Sequence, residues 1–533
     1  MKFLNHKIVI ILLFSFFLSS CSSLKHYFAG KRDISPYDYG LAEAKTGVER
    51  YNVLLETHKA AVAKGVNVNY SGIDTLLIEI PGKPSSIPLT QYNDFKGCVF
   101  IVKNTSKNCW LFRIEEKETP INVPKKLIDD GDFRSLDALK KGRYILLIED
   151  ENPWVLNRKG HGYGHQRKDI LLIENGKAKN SVIMPYDNDD SSPVCSYIKV
   201  KNEPFVFKNL TIIRDEACSF LTHIAYISGF DNVNVSDVSI YTPPSTLTDD
   251  RGIRFYNSTN VTFDNVRIDG TYSQKDHSGY GISLNNVWNF QVYNMYGNGN
   301  WGVFGTNNVN TVHINDSQIN RFDIHCYGRD LFYDKVYFFD RFNSHASVFG
   351  KIVFNNCTFT DFVPSQYGGS YNAFVAHDIE LYNCVFNVTP KRNYFCRPMD
   401  VSGEINKRHE LSKKCLPNIR IKNLTVNMAE DVKEFYLFFI KKSDSIVLPF
   451  DGIKEISVEG LTINAAPGTP LKNVQLSNRP VETVNDVNFT IKDVVINQPK
   501  AGTRSNAILK FNMPVKEGML NISKIENLII DSK

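Results

Sequence analysis

A short apolar motif recurs along the middle of the chain, between residues 203 and 387. Each copy has two alternating apolar residues, then a polar residue and usually Asn or Asp, and then a second apolar pair. Successive copies start 28, 28, 29, 22, 19, 21 and 27 residues apart, at Phe205, Val233, Val261, Phe290, Val312, Leu331, Ile352 and Ile379. Alternating apolar residues are typical of strands with one buried face. Each copy therefore predicts two strands joined by a bend.

The residue at the bend indicates its backbone conformation. Asn and Asp tolerate the left-handed region that β-branched residues avoid, and Asn209, Asn265 and Asn294 stand at this position. A period of about 20 to 30 residues is typical of a solenoid, in which each unit buries its apolar face by stacking on its neighbours. We therefore predict an all-β fold with a single solenoid, a parallel β-helix, over residues 201–533.

A third strand precedes the apolar pairs of each copy, for example at residues 223–226, 252–255 and 281–284. Side chains alternate across a strand, so if Ile224, Ile253, Ile282, Val303 and Ile324 point inward, their neighbours point outward. The residues then predicted to line one external face are His223, Arg254, Ser283, Phe304, Asp323 and His325. This face is where we expect the functional site.

The first twenty residues have the pattern of an export signal. Lys2 and Lys7 precede an apolar run that is too short to span a membrane. The run ends in Leu18-Ser19-Ser20-Cys21, which resembles a bacterial lipobox and implies cleavage before Cys21 and lipidation of its thiol. We predict a signal peptide (1–20), a tether (21–45) and a bacterial outer membrane lipoprotein held to the membrane by its lipid alone.

Charge and cysteine usage exclude several classes of protein. The formal net charge is +5, and removal of Lys2 and Lys7 lowers it to +3, so the sequence does not predict a nucleic-acid-binding protein. No CxxC pair is present among the 10 Cys, so a metal finger or a thioredoxin-type motif is not indicated. Cys357 and Cys384 stand at equivalent inward positions of successive copies, where they predict stacking in the core.

We expect the protein to be a monomer.

Residues 46–200 are predicted to form an N-terminal cap and the first, irregular coils. Thr46-Gly47-Val48-Glu49 has the spacing of a capping box, and an apolar stripe follows until Gly65. Because a solenoid needs its open apolar end covered, we predict that this helix is the cap. Strand patterns at 75–80, 97–103 and 144–149 are assigned to the first coils, and no linker indicates a second domain.

A basic, glycine-rich segment at residues 157–168 is a second candidate for ligand binding. Its Gly residues predict a loop, and His161, Tyr163, His165 and Arg167 could hold an anionic ligand. The alternative is a solvated basic loop without a ligand.

The Asn-containing coils, the lipobox and the predicted cap helix together resemble bacterial right-handed parallel β-helix proteins of the pectate-lyase-like superfamily. That group includes pectate, alginate and chondroitin lyases and polygalacturonase-type hydrolases. The resemblance implies a right-handed solenoid with a groove for an extended polysaccharide. It lies in the fold repeat, which specifies activity weakly.

Cleavage of a uronic-acid polymer by β-elimination needs a base, a group that stabilises the enolate and an acid for the leaving oxygen. We predict His325 as the base or carboxylate neutraliser, and Arg254 and Arg329 as carboxylate or sulfate ligands. Tyr280 or Tyr327 is the predicted proton donor. Predicted substrate-binding residues are Trp301, which would stack on a sugar ring, Asn300, Arg321 and His345. The basic residues favour an acidic polysaccharide, with chondroitin or hyaluronan first and pectin or alginate second.

No cofactor is required by this chemistry, although Asp249, Asp250, Asp276 and Asp323 could supply ligands for calcium.

Two other hypotheses of function stay open at this stage, a hydrolase and a noncatalytic glycan-binding protein. A hydrolase would use the same carboxylates as acid and base, but no coil carries the Gly-His-Gly-Ser or Arg-Ile-Lys sequences of polygalacturonase-type sites. A noncatalytic glycan-binding lipoprotein would need the aromatic residues without the His and Arg residues.

Overall fold

The computed structural model describes residues 32–155, 165–186, 191–220, 222–243, 251–270, 280–299, 301–345, 348–366, 375–397, 417–432, 434–439, 455–465, 473–477, 488–497, 507–510, 520–525 and 528–531. A 3-10 helix, Pro36–Tyr39, precedes α1 (Gly47–Lys64) and α2 (Lys125–Asp130).

The first strands are β1 (Thr75–Ile80), β2 (Ile87–Pro88), β3 (Tyr92–Asn104), β4 (Cys109–Glu115), β5 (Thr119–Ile121), β6 (Arg143–Val155), β7 (His165–Glu174), β8 (Lys177–Ala178), β9 (Pro193–Lys199), β10 (Phe205–Arg214) and β11 (Thr222–Ser228). The middle strands are β12 (Asp231–Thr242), β13 (Arg251–Gly270), β14 (Tyr280–Tyr293), β15 (Tyr296–Gly299), β16 (Gly302–Asn315), β17 (Gln318–Ile319), β18 (Phe322–Asp334), β19 (Tyr337–Phe339), β20 (Phe342–Ser344), β21 (Val348–Asn355) and β22 (Thr358–Thr360). The last strands are β23 (Val363–Gln366), β24 (Val375–Val388), β25 (Tyr394–Arg397), β26 (Asn418–Met428), β27 (Glu434–Phe438), β28 (Glu455–Ala465), β29 (Asn473–Ser477), β30 (Asn488–Asn497), β31 (Ala507–Lys510), β32 (Leu520–Ile525) and β33 (Leu528–Asp531).

The strands wind into the predicted parallel β-helix. In the order β1, β3, β10, β12, β13, β14, β16, β18, β21, β24, β26, β28, β30 and β32, each pairs in parallel with the next. A second parallel sheet joins β20, β23, β25, β27, β29, β31 and β33. Right-handed winding stays an expectation from the handedness of parallel crossovers.

The predicted bend is a left-handed corner repeated along the solenoid. Asn209, Asp237, Asn265, Asn294, Asp316, Asn356, Asn383, Asn423 and Asp493 all have φ between 46° and 59°. Their side chains also join coil to coil, since Asn265 Nδ2 donates to Asp237 Oδ1 at 2.7 Å. Cys357 and Cys384 lie buried in the core at equivalent positions, as predicted.

Two further corners escaped the sequence pattern. Asn232, Asn260, Asn289, Thr311 and Asp330 form one column of left-handed residues, and Asn257, Asn286, Asn308 and Tyr327 form another. Asn289 Nδ2 donates to Asn260 Oδ1 at 2.6 Å, and Asn286 Nδ2 donates to Asn257 Oδ1 at 3.0 Å. Each coil therefore turns at several corners, of which the apolar motif marks one.

Helix α1 packs against the first coil. Its capping box is formed, because Thr46 Oγ1 accepts from the Glu49 amide at 3.1 Å and Glu49 accepts from the Thr46 amide at 2.8 Å. Tyr51 and Leu54 are buried in the same core as the coils. The helix contacts β1 and β2; that it covers the open end of the solenoid stays a prediction.

Residues 116–200 correct the prediction of a single solenoid. Strands β5, β9, β6, β7 and β8 form a separate antiparallel sheet, which we call the inserted sheet. Residues 144–149 belong to β6 and not to an irregular coil. Ile145 to Ile148 are four consecutive buried apolar residues, since Leu146 and Ile148 face one core and Ile145 and Leu147 face another. A strand buried on both faces loses the alternation that would distinguish it from its neighbours.

The predicted signal peptide and Cys21 lie outside the described residues. Within the part that the structure describes, no helix combines the length and the apolar character needed to cross a bilayer.

Candidate active site

Side chains from neighbouring coils meet at one place on the outward face. Tyr280 begins β14, Trp301 precedes β16, Arg321 precedes β18, and Asp323 and His325 lie on β18. We call these five residues the Tyr280 centre. Their strands pair directly, with Tyr280 opposite Gly302 and Gly305 opposite Asp323. Residues distant in sequence are thus brought together by the stacking of coils.

The Tyr280 hydroxyl is the common partner of three side chains. Its oxygen lies 2.7 Å from Asp323 Oδ2 and 2.7 Å from His325 Nε2, and it accepts a hydrogen bond from Trp301 Nε1 at 2.8 Å. A phenol has one proton to donate. If Tyr280 donates it to Asp323, His325 must donate from Nε2; if Tyr280 donates to His325, Asp323 must carry a proton. Either arrangement connects two proton-transfer groups through one oxygen.

Asp323 is the buried anchor of the centre. Its side chain is 0% exposed and lies 2.6 Å from Arg321 Nε, and its Oδ1 accepts from the Ser344 amide at 2.9 Å. Burial raises the pKa of Asp323 above its ordinary value, and the Arg321 guanidinium, Tyr280 and the Ser344 amide act in the opposite direction. The carboxylate is therefore a fixed, charge-compensated acceptor and is closed to solvent.

Arg321 is held between two aromatic rings. Its guanidinium carbon lies 4.1 Å from the ring centroid of Trp301 and 4.1 Å from that of Phe342. Its side chain is 4% exposed, so its charge is used within the protein to compensate Asp323 and to orient Trp301. Arg321 was predicted to bind substrate; in the structure it lies beneath the surface of the centre.

Two glycines make room for this packing. A Cβ at Gly305 would lie 2.5 Å from the Tyr280 ring, and a Cβ at Gly302 would lie 2.7 Å from Cδ of Arg321. Any larger residue at either position would displace the side chain above it. The motif-poor segment Gly302–Gly305 therefore has a specific role in shaping the centre.

His325 occupies a β-bulge. Thr306 pairs with Ile324, but the next residue, Asn307, pairs with Cys326, so His325 is the extra residue on its strand. Bulges re-aim side chains and are common beside active sites. The His325 side chain is 19% exposed, which leaves it reachable from solvent while Asp323 is not.

Tyr327 lies two residues further on, at a corner. Its φ is 57° and its side chain is fully buried. The register places it above Asn308 and Asn286, which have the same left-handed backbone. A bulky residue in this region is strained, and such strain is often found at functional sites. The predicted role of Tyr327 as a proton donor has no support from its buried position.

His345 borders the centre from the next coil. It is buried, its Nδ1 lies 3.0 Å from Ser365 Oγ, and its backbone forms a bridge with Ile324. The structure therefore places His345 beside the strand that carries His325, and its full burial does not indicate a direct contact with substrate.

The inserted sheet stands beside the outward face as a wall. The Asn257 side chain donates to Glu118 at 2.9 Å, Asn310 donates to the Ser181 carbonyl at 3.3 Å, and Trp288 packs on the inserted sheet. Arg329 donates to the Val182 carbonyl at 3.2 Å. These contacts follow successive coils, so the inserted sheet runs along the solenoid beside its outward face.

Two predicted cationic ligands have other positions. Arg329 fixes the wall and does not reach the Tyr280 centre. Arg167 is buried, paired with Asp169 at 2.8 Å and stacked 3.6 Å from the Tyr186 ring centroid, so it stabilises the inserted sheet. Arg167 stands in a basic, polar segment, so the sequence does not indicate that it is buried and paired with a carboxylate.

The predicted outward ladder needs a correction of register. The column that contains Arg254 runs through Tyr226, Arg254, Ser283, Gly305 and Asp323. His223 pairs instead with Trp110, and Phe304 is fully buried in the core. A slip of one residue moves a side chain to the opposite face. Because the spacing between copies shortens near residue 300, Phe304 was predicted on the outward face although it points into the core.

Other predicted residues are not placed. Asn300, His161 and Tyr163 lie outside the described residues, as do Asp249, Asp250 and Asp276, and the side chain of His165 is not described. Within the described residues, no group of three or more His, Cys, Asp or Glu is positioned to hold a metal ion. Asp323, the remaining calcium candidate, already has Arg321 as its counterion.

Comparison with known proteins gives the fold. No protein-family model matches the chain, and no curated protein matches it. The chain is similar to the tailspike protein gp49 from Pseudomonas phage LKA1, with a TM-score of 0.52 and 13% identity over 92% of this chain and 84% of that chain. The tailspike gp61 of Pseudomonas phage phi297 also matches, with a TM-score of 0.37 and 11% identity over 92% of this chain and 82% of that chain. At 13% identity the likeness to gp49 establishes a shared fold alone, and the pectate-lyase-like superfamily is not shown.

Proposed function

We propose that this protein is a carbohydrate-active enzyme that cleaves an acidic polysaccharide by β-elimination at the Tyr280 centre. The observation that carries the proposal is the 2.7 Å contact between the Tyr280 hydroxyl and His325 Nε2 on the outward face of a parallel β-helix. The outward ladders of a parallel β-helix suit an extended polymer, and the partly exposed Trp301, hydrogen-bonded to Tyr280, offers a ring for a sugar to stack on. The tailspike likeness supports the scaffold, not the activity.

The residues available favour elimination over hydrolysis. Hydrolysis by the usual route needs two carboxylic groups about 5 to 9.5 Å apart on either side of the scissile bond. Among the described residues, Asp323 is the carboxylate of the Tyr280 centre, and it is buried against Arg321. Tyr and His side chains, with ordinary pKa values of about 10 and 6.5, are suited to removing a proton α to a carboxylate and returning one to the leaving oxygen.

The contact between Tyr280 and His325 would balance the protons of the reaction. In β-elimination a C–H bond and a C–O bond break and a C=C bond forms. His325, the more exposed of the two, takes the proton from carbon, and Tyr280 gives its proton to the leaving oxygen. Transfer of a proton from His325 to the Tyr280 oxygen, 2.7 Å away, then restores the starting state without an external acid or base.

The test is ultraviolet absorbance during incubation with chondroitin sulfates, hyaluronan, heparin, polygalacturonate and alginate, with and without calcium. Absorbance rises only if elimination creates a conjugated double bond. The variants His325→Ala and Tyr280→Phe should abolish the rise. His313→Gln and Tyr293→Phe are matched controls, since His313 stacks on Phe332 and Tyr293 hydrogen-bonds to Gln291, away from the Tyr280 centre; both should retain activity.

Other outcomes would replace the proposal. New reducing ends without absorbance would indicate hydrolysis and direct attention to Asp249, Asp250 and Asp276. Full activity in His325→Ala would remove the Tyr280 centre from the mechanism. Binding without cleavage of any polymer would favour a noncatalytic glycan-binding protein.

The lipid anchor and the oligomeric state are separate proposals that rest on the sequence. We infer that Cys21 is lipidated, so that Cys21→Ser should move the protein from the membrane fraction to the soluble fraction of the expressing bacterium. Light scattering of the detergent-free variant should give the mass of a monomer; a trimer or dimer would contradict this expectation.

A further inference from the structure

A strip of aromatic residues lies on the outward face, on coils that precede the Tyr280 centre. The aromatic strip consists of Trp110, His223, Tyr226 and Tyr256, all partly exposed. The Trp110 ring centroid lies 4.5 Å from that of His223 and 5.5 Å from that of Tyr226, and Tyr226 stacks on Tyr256 at 5.9 Å. These side chains project from β4, β11 and β13. A sequence-distant set of rings thus forms one platform.

Arg254 lies in this platform and has no counterion among the residues that the structure describes. Its guanidinium carbon is 5.7 Å from the Trp110 ring centroid and 5.8 Å from that of Tyr256. Its Nε atom is buried with no hydrogen-bond partner, and no carboxylate of the described residues forms an ion pair with it. Arg321 and Arg267, which also face aromatic rings, have Asp323 and Asp269 within 2.8 Å. Arg254 differs from them in that no carboxylate of the described residues compensates its charge.

Tyr226 of the aromatic strip and Arg254 lie in the same column of the sheet as Asp323 of the Tyr280 centre. Trp110 pairs with His223, and Arg254 leads through Ser283 and Gly305 to Asp323. The five steps from β4 to β18 cover about 24 Å at the usual strand separation of about 4.8 Å. The inserted sheet bounds this face, since Glu118 accepts from Asn257, the residue after Tyr256. The strip therefore continues the outward face from the Tyr280 centre toward the N-terminal coils.

We propose that Arg254, with Trp110 and Tyr256, forms a second glycan subsite that takes a negatively charged sugar residue. Uncompensated guanidinium groups bind carboxylate and sulfate in a fork geometry, and the flanking rings hold the guanidinium plane and offer stacking surface to the sugar. The polymer then lies along the solenoid axis, with one acidic residue at Arg254 while another is at Tyr280. That the same polymer is cleaved rests on the proposed function.

The test is isothermal titration of acidic decasaccharides from hyaluronan, chondroitin sulfate, polygalacturonate and alginate into the mature protein carrying Tyr280→Phe, which prevents consumption of the probe. Adding Arg254→Gln should weaken binding about ten- to a hundredfold, as expected for a hydrogen bond to a charged group. The loss should shrink as salt is raised. Trp110→Leu should also weaken binding. Arg267→Gln is the matched control and should bind as the parent does, and circular dichroism verifies the fold of every variant.

The outcomes separate this subsite from the proposed function. Equal binding by Arg254→Gln and its parent, or failure of every acidic probe to bind, would overturn the subsite. Cleavage by the unmodified enzyme together with indifference to Arg254 would overturn the subsite alone. Binding that depends on Arg254, without cleavage of any polymer, would overturn the proposed enzyme activity and leave the subsite standing.

Discussion

Replacing Asp323 with Asn tests whether the buried ion pair is the anchor of the Tyr280 centre. The substitution keeps the shape and a carbonyl acceptor but removes the charge that compensates Arg321. Asp323 is 0% exposed and Arg321 is 4% exposed, so the guanidinium is left uncompensated in a buried position. Removing one partner of such a pair costs about 3 to 5 kcal/mol.

The loss should appear locally, because a solenoid opens coil by coil. Amide hydrogen exchange of β18 and of its neighbours β16 and β21 measures this opening. At about 1.4 kcal/mol per factor of ten, protection of these strands should fall by two to almost four orders of magnitude. Protection of β26 and β28, several coils away, should be unchanged, and catalytic turnover should be lost.

A double substitution separates stability from function. Replacing the pair by Arg321→Met and Asp323→Leu removes both charges, and such replacements are often neutral or stabilising. Protection of β18 should return while turnover stays absent, because Tyr280 has lost its acceptor. If Asp323→Asn alone left the protection of β18 intact, burial would be keeping Asp323 protonated and the ion pair would not be the anchor.

Three further predictions concern other parts of the molecule. Burial lowers the pKa of His58 from 6.5 to about 4. The folded state therefore favours neutral His58, and about 3 kcal/mol of stability is lost as the pH falls from 6.5 toward 4. Hydrogen exchange of the α1 amides, measured against pH, should show this loss in the parent but not in His58→Gln. Gly305→Ala should abolish turnover by displacing the Tyr280 ring, with an unchanged far-ultraviolet circular dichroism spectrum; normal turnover would contradict the packing described. Asn265→Ala should destabilise its coil by about 1 to 2 kcal/mol through left-handed strain and the lost bond to Asp237, with Asn265→Gly less affected, and an equal melting temperature for both variants would argue against the corner.

Much of the fold follows from local sequence. Alternation of apolar residues fixes which side chains face the core, and a polar residue with access to the left-handed region marks the corner after Phe207 and its equivalents. The capping box at Thr46 and Glu49 is likewise formed by neighbours in the chain. These features are predictable because each depends on residues a few positions apart.

The site depends on information that local patterns do not contain. Tyr280, Trp301, Arg321 and His325 were named as candidates, and the structure brings them together. Their contacts with one another could not be predicted, because a bulge at His325 and the space above Gly305 depend on the register of neighbouring coils. A strand was predicted at residues 144–149, but its doubly buried apolar run does not tell which sheet it joins, so the inserted sheet was missed.

The inserted sheet also bears on how a chain of this kind folds and diversifies. Asn209 reaches Asp94 across 115 residues, whereas Asn265 reaches Asp237 across 28. Closing the longer loop costs only about 1 kcal/mol more, because the entropy of closure grows with the logarithm of loop length. An additional sheet can thus be inserted between two strands of a coil with only a small loss of stability. The coil that contains the insertion is, however, expected to close more slowly during folding than the short middle coils. Folding is therefore expected to start in the middle of the solenoid, and new walls can be added at its ends without rebuilding the centre.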